Sequence, residues 1–199
     1  MNEVPSIQEI TFEEKPSDWL LANLQYIEDN PGASKNDSGK TLEIFIKNLF
    51  SYKFSDSEIK YCDSYFFDMQ IDVLLDVISP ELREDLGRRI FVECKDYHVD
   101  KRVNSSVAYS LLGKMYIRHK LGCKTGIIIA PQGFCTSLKE IQKMLVRADY
   151  SIVMIGLDEI RNLIQSDDPV NYFKKIFLDH ANNGDIKYEN GVLYDKEKE

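Results

Sequence analysis

A chain of 199 residues, 43% apolar and 29% charged, is long enough for one domain with a proper core and has an ordinary globular composition. Its net charge of −8 excludes a protein that coats nucleic acid indiscriminately. No stretch approaches membrane-spanning length, the start Met1-Asn2-Glu3-Val4-Pro5 lacks a signal-peptide pattern, and Cys62, Cys94, Cys123 and Cys135 have neither C-x-x-C nor zinc-like spacing. The expectation is a cytoplasmic protein with reduced cysteines and no membrane partner.

Residues 1–11 carry no functional signal. Pro16-Ser17-Asp18 predicts a helix start, with Ser17 as cap and Leu20, Leu21, Leu24 and Ile27 as the apolar stripe. Asn30 to Gly39 reads as a loop that closes an N-terminal extension, residues 1–37. A second helix is predicted from Ser38 or Gly39 to Tyr52, because Leu42, Phe45, Ile46, Leu49 and Phe50 follow helical spacing. Glu43 borders that stripe near its N-terminal end, where a carboxylate also suits the helix dipole. Glu58 to Phe67 predicts a strand, with Asp63 and Asp68 beside it.

Gln70 to Lys95 is the most informative stretch. Two β-branched runs, Ile71 to Val77 and Arg89 to Lys95, flank a connector with Pro80 and Gly87, which predicts an antiparallel hairpin with a long loop. Strand side chains alternate between faces, so Ile71, Val73, Leu75 and Val77 are expected on one and Asp72, Leu74 and Asp76 on the other. With a symmetric loop, Asp72 comes to lie with Glu93 and Lys95 at the open end, and Asp76 is peripheral. Unpaired charges at the end of an apolar strand are costly, so the three need partners. One outcome is an ion pair at a sheet edge. The other is a site in which Asp72 and Glu93 share a hard divalent cation, magnesium or manganese in its place, and Lys95 holds a water or offsets phosphate charge.

A polar crossing from Asp96 to Arg102 leads to a helix predicted over Val103–Leu121, ended by Gly122. Val103, Val107, Leu111, Leu112 and Met115 form its buried stripe. From Leu86 to Thr125 nine cations face three anions, a surplus of +6, so this segment is the expected phosphate-facing surface. Lys101, Arg102, Lys114 and Arg118 are its candidate nucleic-acid contacts. Two buried strands, Gly126–Ala130 and Ser151–Ile155, alternate with a helix over Thr136–Arg147. A short helix opens at Leu157, another runs from Pro169 to Asp179, and Asn190-Gly191 predicts a terminal hairpin. The alternation predicts an α/β fold, a mixed β-sheet flanked by helices on both faces.

Three motifs bear on other chemistries. Ser38-Gly39-Lys40-Thr41 lacks the first glycine of a phosphate loop, no G-x-S-x-G elbow exists, and His98, His119 and His180 have no zinc-like spacing.

Ser38-Gly39-Lys40-Thr41-Leu42-Glu43, Gln70-Ile71-Asp72-Val73, Val92-Glu93-Cys94-Lys95-Asp96-Tyr97, the basic helix and Thr125 to Phe134 occur in that order. Together they resemble the PD-(D/E)XK nuclease superfamily, and within it the Mrr-like restriction endonuclease branch, over Ser38 to Ile164. The chain departs from that pattern in having no proline before Asp72, and Glu93 where the branch often has Gln. The resemblance implies a restriction-endonuclease-like fold and magnesium-dependent hydrolysis of DNA phosphodiesters, in restriction or defence. It implies metal binding by Asp72 and Glu93, support of the metal by Glu43, and water activation by Lys95. It places a nuclease core at 38–165 and a helix and hairpin tail at 166–199. Asp68 is the reserve for Asp72. Two alternatives remain open: a weakened, nuclease-like binding or assembly subunit, and a junction-resolving nuclease. A homodimer or partner subunit is compatible with either.

Overall fold

The computed structural model describes residues 16–32, 38–54, 58–62, 71–98, 100–145, 150–182, 187–189 and 192–194. The helices are α1 (Pro16–Asp29), α2 (Ser38–Lys53), α3 (Pro80–Leu86), α4 (Ser105–Ile117), α5 (Thr136–Leu145), α6 (Leu157–Gln165) and α7 (Pro169–Asn182). The strands are β1 (Ile59–Cys62), β2 (Val73–Val77), β3 (Arg89–Cys94), β4 (Thr125–Ile129), β5 (Ser151–Ile155), β6 (Lys187–Glu189) and β7 (Val192–Tyr194). The first five strands form one sheet in the order β1-β2-β3-β4-β5, and β6 and β7 pair separately. β1, β2 and β3 are antiparallel neighbours, whereas β3, β4 and β5 run parallel. Parallel neighbours require crossovers, and α4 and α5 supply them.

Alternation along the strands divides the core into two layers. Val73, Leu75, Val77, Ile90, Val92, Ile127, Val153 and their neighbours pack against α1, α2, α6 and α7. Leu74, Phe91, Ile128, Ile152 and Met154 pack against α4 and α5. The sheet is therefore mixed and covered by helices on both faces. Leu20, Leu24 and Ile27 of α1 and Phe173, Ile176 and Phe177 of α7 belong to the same buried cluster as α2. The helix of the N-terminal extension and the one after residue 165 thus complete the core. All four cysteines are free. No helix of the described residues is long and apolar enough to cross a membrane.

Several boundaries differ from the predicted ones. The connector between β2 and β3 is not an open loop but contains α3, with Pro80 in its first turn and Gly87 as C-cap. β2 begins at Val73, and Ile71 packs on the α4 side instead of sharing a face with Val73. The backbone bends at Asp72, which breaks the alternation. α1 starts at Pro16, so Ser17 lies within the first turn. α4 starts later than predicted because Asn104 caps it, its side chain accepting the Ser106 N–H at 3.1 Å. Val103 instead bridges to Phe134. The last turn of the predicted helix is a separate 3-10 turn, His119–Leu121. Asp63, Asp68 and Arg147 lie outside the described residues.

Gly87 has φ +81° and ψ 178°, and a Cβ there would sit 2.5 Å from the Gly122 carbonyl oxygen and 2.7 Å from the Lys124 nitrogen. Neither backbone atom can swing aside, and the conformation is essentially confined to glycine. Gly87→Ala is expected to lower the unfolding free energy by about 3 kcal/mol. Urea denaturation checks this, and a loss below about 1 kcal/mol would show that the α3–β3 junction yields.

Candidate active site

The site forms at the end of β2 and β3 remote from α3. Val73 pairs with Val92, so the next step of the register sets Asp72 across from Glu93. The ladder ends there because the side chain of Asp72 replaces a backbone partner: Oδ2 accepts the Cys94 N–H at 2.7 Å. Lys95 continues β3 on the other side, donating its N–H to the Ile129 carbonyl at 2.8 Å. Both flanks of the ladder thus hold the Glu93–Lys95 backbone.

Glu93 is buried, as few carboxylates are, and each of its oxygens has a lysine. Lys95 Nζ donates to Oε1 at 2.6 Å, and Lys114 Nζ donates to Oε2 at 2.7 Å. Burial alone pushes the Glu93 carboxyl up, but the two ammonium donors prevail and hold it below its ordinary value. Lys95 is held above its ordinary value: burial works against its charge, and the contact with Glu93 outweighs that. Asp72 goes the other way. Burial first, then the charge of Glu93, raises its carboxyl above the ordinary range, with a further contribution from Glu43; the Cys94 N–H and Lys95 offset part of this. Two adjacent carboxylates are therefore driven apart, one firmly ionised and one reluctant.

Glu43 projects from the first half of α2 within electrostatic reach of Asp72 and Cys94, and its carboxylate is hydrogen-bonded to Lys47. Glu43, Asp72, Glu93, Lys95 and Lys114 are thus brought to one end of the sheet. Lys101 and Arg102 are exposed in the loop beyond β3, with Lys101 Nζ 4.7 Å from the centroid of the Tyr97 ring. Arg118 is the half-buried C-cap of α4, one turn beyond Lys114. Asp76 is remote from the cluster and ion-paired with Arg89 at 3.0 Å.

Two features escape the sequence. Lys114, a candidate nucleic-acid contact in the sequence, also reaches Glu93, because the α4 crossover returns over β3. The available signal is its place beside the buried stripe of Leu111 and Met115. The second feature is a clamp behind Lys95. Asp96 Oδ1 accepts Gln132 Nε2 at 2.9 Å and the Gly32 N–H at 3.4 Å, while Gln132 Oε1 accepts the Tyr97 N–H at 3.2 Å. This ties the strand exit to the turn after β4 and to the loop after α1.

Among the described residues no three His, Cys, Asp or Glu side chains are grouped to hold a metal ion. The protein offers a pair of hard carboxylates, Asp72 and Glu93, with two lysines alongside. Fold and site define a mixed α/β domain with an acid–lysine cluster at one end of its central hairpin. No protein-family model matches the chain, and no curated protein matches it.

Proposed function

We propose that the chain is a magnesium-dependent nuclease that hydrolyses DNA phosphodiester bonds. The observation that carries the reading is the adjacency of Asp72, Glu93 and Lys95, an acid pair and a lysine in the order and on the strands that the PD-(D/E)XK resemblance implies. Magnesium retains several waters and commonly takes only one or two protein carboxylates, which Asp72 and Glu93 supply. When bound, it contributes positive charge where phosphate oxygens become more negative. Asp72 is suited to this because burial, and after it the Glu93 charge, raises its carboxyl above the ordinary value, and an added cation offsets both. Lys95 orients the attacking water and meets charge developing on the phosphate. Lys114 is a second ammonium beside the reacting group, Glu43 adds negative potential toward the ion, and Lys101 and Arg102 hold the backbone without reading sequence. A role in restriction or defence follows from the resemblance alone.

A second reading has its own observation. Both oxygens of Glu93 are engaged by lysines, which balance the charge that a metal would otherwise balance. That favours a nuclease-like domain that binds nucleic acid or a partner subunit without cutting. Nicking of supercoiled plasmid in magnesium separates the two. The wild type is expected to nick, and Lys95→Ala to lose activity on the order of a hundredfold or more. No nicking by the wild type in magnesium or manganese, or equal nicking by both, would discard the nuclease and leave the binding role.

A further inference from the structure

The basic stretch that reads as one surface in the sequence is split by the fold between the two ends of β3. Lys95, Lys101 and Lys114 go to the end with the acid pair. Arg88 and Arg89 stay at the other end, and with Arg83 of α3 and Lys120 of the 3-10 turn they line a cleft of about 260 Å3. Four residue steps along β3, from Arg89 to Glu93, separate the cleft from the acid pair, roughly 13 Å.

Asp76 is the single carboxylate among the described residues lining the cleft, against four cations. Its Oδ1 accepts from Arg89 Nε at 3.0 Å, and its Oδ2 from Cys62 Sγ at 3.0 Å, so its charge is matched by Arg89. Arg83, Arg88 and Lys120 then form a surplus of three like charges around one concavity, in a chain whose net charge is −8. Like charges gathered this way repel unless an anion joins them.

The fold also anchors Arg83 and brings the backbones that carry Arg88 and Lys120 together. Arg83 Nε donates to the Val77 carbonyl at 2.8 Å, which fixes its guanidinium at the cleft wall. The Arg88 N–H donates to the Gly122 carbonyl at 2.7 Å. Gly122, at φ +72°, packs so closely that a Cβ there would sit 2.9 Å from the Arg88 Cβ. Arg88 and the turn carrying Lys120 therefore meet without slack. Ile78 and Leu121 add apolar wall. Guanidinium forks match phosphate oxygens, and a concave wall suits a compact, multiply charged group better than the convex flank of a duplex.

We propose that this cleft binds a phosphate monoester or diphosphate group, carried either by a free nucleotide or by the end of a nucleic-acid strand. Its residues are separate from the acid pair, so the cleft keeps this role whether or not the chain cuts DNA.

Amide NMR spectra of the full chain test it, with titration by sodium pyrophosphate, by a mononucleotide, and by a short oligothymidylate carrying or lacking a terminal phosphate. The amides of Arg88, Lys120 and Leu121 are expected to shift with each phosphorylated probe. Affinity is expected to fall about tenfold or more in Arg88→Ala/Lys120→Ala, whose side chains are exposed. Tightest binding by the phosphorylated oligothymidylate identifies a strand end as the source, and tightest binding by the mononucleotide identifies a free nucleotide. The proposal is overturned by absence of shifts at millimolar pyrophosphate, or by equal affinity in the double variant. Shifts confined to the Glu93–Lys114 end, or reproduced by sodium chloride at matched ionic strength, overturn it as well.

Discussion

Asp72→Asn is expected to abolish magnesium-dependent nicking while raising stability at neutral pH. The carboxylate of Asp72 is one of two that the proposed reaction requires, and its loss should cost on the order of a thousandfold in rate. The fold should survive, because the asparagine side-chain oxygen can still accept the Cys94 N–H that Oδ2 accepts at 2.7 Å. The gain follows from the direction of the Asp72 shift. Burial and the neighbouring Glu93 charge raise its folded-state carboxyl above the ordinary 3.8, so the folded state holds its proton more tightly than the unfolded one. Stability then declines as pH rises from about 3.8 through the folded value, and above that value the whole penalty is present. The neutral amide of the variant carries no such penalty. Urea denaturation should show the variant more stable than wild type by on the order of 1 kcal/mol at pH 7, with the difference vanishing in acid. A variant that nicks normally sinks the catalytic role. One that is less stable at neutral pH shows that Asp72 is held for structure.

How much of this is readable from the sequence depends on the range of the interaction. Periodicity is local, so α2, β4, β5 and the apolar alternation of β3 are visible in the residues themselves. The pairing of β2 with β3 is visible too, because the two runs are close in sequence and only one register buries both apolar faces. Alternation puts Ile71 on the wrong face because it holds only while the strand stays regular, and the backbone bends at Asp72. α3 reads as loop because its seven residues are too few to repeat an apolar stripe, although Pro80 and Gly87 mark both ends. The contact between Lys114 and Glu93 spans 21 residues and depends on where a crossover helix lands, which no spacing rule conveys. Charge counting fails for a related reason. It sums along the chain, whereas β3 carries Arg89 and Lys95 to opposite ends of the sheet.

Glu93→Gln should also abolish nicking, yet its effect on stability should have the opposite sign to that of Asp72→Asn. Glu93 is the shared partner of Lys95 and Lys114, at 2.6 and 2.7 Å, with all three side chains mostly buried. Glutamine keeps the shape but not the charge, so two partly desolvated ammonium groups lose their counter-ion. The cost is expected to be about 2 kcal/mol at neutral pH, tempered by the access both lysines retain to water. Because the folded-state carboxyl of Glu93 lies below its ordinary 4.5, its contribution is fully present above that pH and is lost as the pH falls through the folded value. The deficit of the variant should therefore shrink on acidification. Adding Lys114→Met should restore part of the stability, since it removes one of the stranded charges, but none of the nicking. Full recovery of activity in the double variant would reduce Glu93 to a counter-ion. An unaltered unfolding midpoint in the single variant would mean that the lysines find water or other partners and that the observed pairing contributes nothing to the fold.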